Sequence, residues 1–124
     1  MNTLSIPGTV PFPEQLQHIK KYMGVLGERA PEVMGAFSDL HEAAGRPGAL
    51  DFKTKELLAL AIGVSLRCNG CIAFHTHDAL KSGATRDEIL EALGVAVLMG
   101  GGPSVIYATH AVEALEQFEA AGLG

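Results

Sequence analysis

Two cysteines, Cys68 and Cys71, stand either side of Asn69 and Gly70, and His75 follows four residues after the second. On a helix beginning near Cys68, spacings of three, four and seven bring all three side chains to one face. The chemistry this arrangement allows is thiol redox chemistry. Thiolates, not thiols, attack peroxides and disulfides, and the unpaired N–H groups of a helix N-terminus stabilise a thiolate. Arg67 adds a positive charge beside the pair. One turn past Cys71, His75 is placed to accept its proton or to hand one to a leaving group. Cα atoms three apart in a helical turn also lie within disulfide range, so a sulfenic acid on one cysteine is resolved by the other. By the helix dipole alone, Cys68 is the stronger thiolate because it lies nearer the terminus.

Glu56 is the other candidate. It precedes the apolar run Leu57–Val64 on the preceding helix. If the two helices form an antiparallel hairpin about a turn near Arg67, Glu56 and His75 lie on its two flanks. A carboxylate there orients the imidazole, giving a Glu–His–Cys proton relay. Blander readings stand beside this one. The cysteines are inert buried thiols, or they bind zinc with His75 or His77 in a metal-binding or redox-sensing module without turnover. His77, two residues past His75, points elsewhere on a helix. His18, His41 and His110 have no partner spacing and read as surface or packing residues, and Tyr107 reads as packing.

These side chains must be positioned by helices. Residues 1–13 carry three prolines and no helical period, and read as an extended arm. From Glu14, Leu16, Ile19, Tyr22, Met23 and Leu26 recur at helical spacing. Pro31 opens a second helix with Val33, Phe37, Leu40 and Ala44 on one face. Asp51 is an N-cap for a third helix over Phe52 to about Leu66, apolar nearly all round. The fourth runs from Cys68 or Asn69 to Lys81. Thr85 and Glu88 form a capping box for the fifth, which stops at Gly100–Gly102, and Pro103 opens a sixth. The expectation is an all-α, single-domain bundle over 14–124, with helices three and five buried on every side, at its centre or between subunits.

Composition narrows the functions. Of 124 residues, 48% are hydrophobic, only nine are Lys or Arg, and the net charge is −5. An acidic chain of this kind is poorly suited to nucleic acid or to an anionic membrane. Its longest apolar stretches, Leu57–Leu66 and Ala92–Met99, fall short of the roughly 20 residues a membrane span needs. No charged region opens a secretory signal, the first cation being Lys20, so a cytoplasmic protein is expected. Two cysteines are too few for a secreted disulfide scaffold, and in a reducing compartment the pair reads as redox or metal chemistry.

The segments Gly48–Asp51, Lys55–Ala61, Cys68–His75 and Gly83–Ile89, with Ala79 between them, resemble the carboxymuconolactone decarboxylase family. More narrowly they resemble its alkylhydroperoxidase D-like branch, which keeps the cysteine pair, over a core motif at 48–100. The resemblance implies an all-helical fold assembling into trimers or hexamers, with no metal or other cofactor. It implies reduction of hydroperoxides or disulfides at the expense of a dithiol, of lipoyl type. Cys71 would attack the peroxide and become the sulfenic acid. Cys68 would protonate the leaving oxygen and close the Cys68–Cys71 disulfide, with His75 and Glu56 as proton relay. One departure stands out: Gly70 occupies the place of a histidine in the best-known peroxidase of the family. Lactone decarboxylases of the family generally lack the cysteine pair, so a non-redox enzyme using His75 as acid–base is the weaker alternative.

Overall fold

The computed structural model describes residues 10–123. Six α-helices follow one another: α1 (Phe12–Arg29), α2 (Pro31–Gly45), α3 (Phe52–Ser65), α4 (Asn69–Lys81), α5 (Arg86–Gly100) and α6 (Gly102–Phe118), closed by a π-helical turn, Glu119–Leu123. No strand occurs among the described residues. The all-α expectation holds, helix for helix.

The ends of the helices follow local chemistry. Asp51 caps α3 by accepting the Thr54 N–H at 2.8 Å. Hydrogen bonds from Thr54, side chain before backbone, hold the Asp51 carboxyl below the usual carboxylate range. Thr85 and Glu88 form the reciprocal capping box at α5. Prolines sit in the first turns of α1, α2 and α6, where a missing N–H costs nothing. One boundary differs from expectation. Helix α1 begins at Phe12, inside the stretch read as an arm, because Phe12 is buried and its N–H donates to Gln117 Oε1 of α6 at 2.6 Å. Residues 1–9 of that arm lie outside the described residues.

Helices α3 and α4 form an antiparallel hairpin, with α5 packed on α3 and α6 on both α4 and α5. Leu60 and Val64 of α3, Ile72 and Ala73 of α4, Ile89 of α5 and Leu115 of α6 make the centre of the core. Ala108, Ala111 and Ala114 let α6 approach closely, so the low aromatic content is no handicap. The wholly apolar helices, however, are not enclosed on every side within one chain. Ile62 of α3 and Leu98 of α5 are 57% and 79% exposed. Helix α2 contributes no buried residue and is tied down by Lys55, whose Nζ donates to the carbonyls of Ala44 and Arg46 at 3.0 and 2.7 Å. Those are unpaired carbonyls of its C-terminal end, where a cation is favoured.

Candidate active site

The turn between α3 and α4 builds the site. Helix α3 ends in a doubly hydrogen-bonded reversal: Cys68 N–H donates to Gly63 O at 3.0 Å and Arg67 N–H to Val64 O at 3.1 Å. This is a Schellman motif, which requires a left-handed residue at its penultimate position. Arg67 supplies it with φ of 59°, the one non-glycine residue with positive φ among the described residues. The reversal leaves Cys68 extended, at φ −113° and ψ 98°, as the N-cap of α4. Its Sγ accepts the Cys71 N–H at 3.1 Å, the role a Ser or Asp oxygen usually plays. Cys68 and Cys71 are joined as a disulfide, their Cα atoms 5.2 Å apart.

Close contact between the two helices fixes this turn. A Cβ added at Gly63 would lie 2.9 Å from the Cys71 Cβ. Only a glycine lets α3 pass directly beneath the second cysteine. Sequence reasoning missed Gly63 as a site residue. The available signal was a glycine inside an apolar helical run, which costs about 0.5–1 kcal/mol relative to alanine and so calls for a reason.

Further along the hairpin the structure brings Glu56 and His75 together. His75 Nδ1 lies 2.7 Å from Glu56 Oε2, although the residues are 19 apart in sequence. The Glu56 side chain is 7% exposed and that of His75 22%. A carboxylate so deeply buried requires a hydrogen-bonded partner, and the imidazole is that partner. With the Nδ1–H donating to the carboxylate, Nε2 carries the free lone pair and can take up a proton.

Other titratable side chains sort themselves around this pair. Asp78, one turn beyond His75, completes a group with Glu56 and His75 whose ligand-type atoms lie within 4.8 Å of one another. Each acid in the group already has an imidazole partner, since His77 Nδ1 lies 2.8 Å from Asp78 Oδ1. The zinc reading with cysteine ligands does not fit this oxidised state, in which both sulfurs are bonded to each other. His77 does point away from His75, its ring meeting Phe118 edge-on at 5.5 Å. His110, read from sequence as surface or packing, packs its ring against Tyr107 at 4.8 Å and also reaches the start of α4. Its Nδ1 donates to Asn69 Oδ1 at 2.9 Å and pins α6 to the first residue of α4. A separation of 41 residues gives no local spacing from which this could be read. Gly70 lies under α1, where a Cβ would come within 3.3 Å of Ile19 Cδ1. A side chain at that position would require the tip of Ile19 to give way by a few tenths of an ångström.

An all-helical chain with a Cys-x-x-Cys pair at a helix N-terminus, backed by a buried His–Glu pair, defines the class of protein. Residues 31–114 match the carboxymuconolactone decarboxylase family, and the chain belongs to it. A solved family protein from Legionella pneumophila is 48% identical and superposes with a TM-score of 0.84, covering 86% of this chain and 96% of that one. Another from Thermotoga maritima, for which an antioxidative role is suggested, is 33% identical with a TM-score of 0.79, covering 89% and 97%. An uncharacterized protein of Cupriavidus necator is 38% identical over 104 residues, 84% of this chain and 92% of its own length. No helix among the described residues is long and apolar enough to cross a membrane.

Proposed function

We propose that this protein is a thiol-dependent peroxidase or disulfide oxidoreductase working through Cys68 and Cys71. The observation that carries the reading is the disulfide at the start of α4, one turn before an imidazole held by a buried carboxylate at 2.7 Å. In the reduced protein the Cys71 thiolate attacks the distal oxygen of a hydroperoxide. An S–O bond forms, the O–O bond breaks, and the alkoxide leaves as the alcohol after taking a proton. The Cys68 thiolate then attacks the Cys71 sulfenic acid. An S–S bond forms, the S–O bond breaks, and the oxygen departs as water. His75 and Glu56 relay the protons. A dithiol, lipoyl-type or similar, restores both thiols by two exchange steps and is itself oxidised to a disulfide.

The N-cap bond supports one direction for that exchange. Cys68 Sγ accepts a backbone N–H, so its thiolate is the better leaving group. The reductant therefore attacks Cys71 and expels Cys68. An antioxidative role of the kind suggested for the Thermotoga relative agrees with this chemistry, and the reading puts the protein in the cytoplasm, where dithiol reductants are at hand.

A second copy of the chain is the other partner in this reading, as a trimer or hexamer. Helix α2 leaves Val33, Phe37 and Leu40 exposed, and α5 leaves Leu98 and Met99 exposed. Large apolar side chains left exposed on two helices support an interface between copies. Sedimentation at micromolar concentration is expected to show an oligomer, and a monomer there would remove this part.

The test is peroxide consumption by the reduced protein with a dithiol donor. One equivalent of peroxide should yield the intramolecular disulfide by mass spectrometry, and Cys71→Ser should abolish turnover. His75→Gln should slow turnover about 100-fold, the ordinary worth of a general acid–base. Rapid peroxide consumption by Cys71→Ser would overturn the mechanism.

A further inference from the structure

Beside α4 lies an open-mouthed cavity of ≈ 470 Å³, lined by the start of α1, His77 of α4, Phe118 of α6 and the terminal turn. That is within the roughly 300–1,000 Å³ typical of small-molecule sites. Its walls have two characters. Leu16, Phe118 and Leu123 give an apolar floor, while Lys20 and Lys21 bring two cationic groups to its edge, beside a His77 ring whose Nδ1 pairs with Asp78. No carboxylate is among the lining residues. This is notable in a chain with 14 acidic residues, nine Lys and Arg, and a net charge of −5. Among the described residues, Lys20 and Lys21 form no ion pair. Their ammonium groups instead rest near rings, Lys20 Nζ 5.8 Å from the centre of Phe74 and Lys21 Nζ 5.6 Å from that of Tyr22.

Folding alone does not call for this arrangement. Lys53 pairs with Glu88, Arg86 with Glu119, and Lys55 binds the end of α2, whereas Lys20 and Lys21 have no carboxylate or carbonyl partner among the described residues. Two adjacent lysines left without a carboxylate, beside an apolar floor, are complementary to one kind of molecule. We propose that this cavity binds an amphipathic organic anion, a carboxylate with a medium-length apolar chain. The carboxylate would meet Lys20 and Lys21 through charge-assisted hydrogen bonds, and the chain would lie on Leu16, Phe118 and Leu123. None of Glu56, Cys68, Cys71 and His75 lines the cavity, so the inference stands apart from the redox reading.

Calorimetric titration of the full-length protein with sodium octanoate tests it, alongside octylammonium, acetate and inorganic phosphate at equal ionic strength. Octanoate should bind saturably at one site per chain, more weakly as salt is raised. Octylammonium, with the same chain and opposite charge, and acetate, with the charge and no chain, should each bind at least about tenfold more weakly. Both lysines are exposed, so Lys20→Met/Lys21→Met should fold normally and lose at least about tenfold in octanoate affinity. Amide shifts on octanoate addition should concentrate in the first turns of α1, around His77 and in Glu119–Leu123. Absence of saturable octanoate binding would overturn the proposal, as would octylammonium binding as well as octanoate. Undiminished affinity in the double variant would remove the lysines from it, and phosphate or acetate matching octanoate would reduce the cavity to a simple anion site; either result refutes the amphiphile assignment.

Discussion

The two turns that flank α4 share one hydrogen-bond pattern and differ in nearly every residue that makes it. At the α4–α5 junction, Ala84 N–H donates to Ala79 O and Gly83 N–H to Leu80 O. At the α3–α4 junction, Cys68 and Arg67 make the same two bonds to Gly63 and Val64. The left-handed position is filled by Gly83, with φ of 95°, in one and by Arg67, with φ of 59°, in the other. A side chain in that conformation costs about 1–2 kcal/mol. The next helix is capped by a Thr hydroxyl with a full capping box in one case, and by a cysteine sulfur in the other. Where the chain need only turn, each residue is the stable choice. Where the turn delivers a cysteine, the strained and weaker choices stand, and what they add is a cation and a thiol at a helix N-terminus. On the function proposed, the difference is stability given up for chemistry.

The comparison breaks most sharply at Gly63. Gly63→Ala sets a Cβ 2.9 Å from that of Cys71 and should destabilise the protein by about 1–3 kcal/mol in urea. Gly94→Ala, on the exposed side of α5 with no atom near its Cβ, should stabilise by about 0.5–1 kcal/mol. Equal effects would mean that α3 and α4 are not held in contact beneath the cysteine. Exchanging the turn residues comes next. Gly83→Arg should lose about 1–2 kcal/mol and leave peroxide turnover unchanged. Arg67→Gly should gain about 0.5–1 kcal/mol, because glycine's greater unfolded-state freedom offsets part of the relieved strain. That variant should also react more slowly with peroxide, while Arg67→Lys keeps the rate. A gain in both stability and rate would leave the arginine without a purpose.

The caps give a smaller contrast of opposite sign. Thr85→Ala should cost about 1 kcal/mol. Reduced Cys68→Ser should be as stable as the reduced parent or up to about 1 kcal/mol more so, because an oxygen is the better N-cap acceptor. It should at the same time lose disulfide formation. Denaturant midpoints of the reduced proteins measure both.

Most of the architecture was legible because helices announce their ends locally. Pro31, Asp51, the Thr85–Glu88 box and Pro103 each mark a start through chemistry confined to one turn. The cysteine–histidine set was legible for the same reason: its spacing lies within two turns of a single helix. What could not be read depends on other elements. The left-handed turn carries arginine, so no glycine marked it. Gly63 matters because α4 passes over it, and His110 because α6 brings it to Asn69. Phe12 is helical because Gln117, 105 residues away, takes its N–H. For Ile62 and Leu98 the sequence left two places open, the centre of the bundle or a contact between subunits, since an apolar period tells which residues avoid water without saying which chain covers them.

The smallest effect separates the two junctions by pH. Glu88 belongs to the α4–α5 junction alone, where it accepts the Thr85 N–H at 2.9 Å and pairs with Lys53 of α3 at 2.9 Å. The hydrogen bond from Lys53, then that from the Thr85 backbone, hold its carboxyl below the ordinary glutamate range. The reciprocal bond from Glu88 raises the Lys53 ammonium above its usual range. A carboxyl whose folded value is depressed stabilises above its unfolded value and loses that contribution as pH falls through the folded one. Stability should therefore decline on acidification from neutral pH into the carboxylate range, and Glu88→Gln should flatten part of that decline. Because the pair is exposed, the neutral-pH loss in Glu88→Gln should be smaller than that in Thr85→Ala. Denaturant midpoints taken across this range for both proteins measure it, and superimposable acid profiles would show that the box draws nothing from the charge of Glu88. Peroxide turnover at the other junction should be the same in both, since Glu88 belongs to the turn that only has to hold.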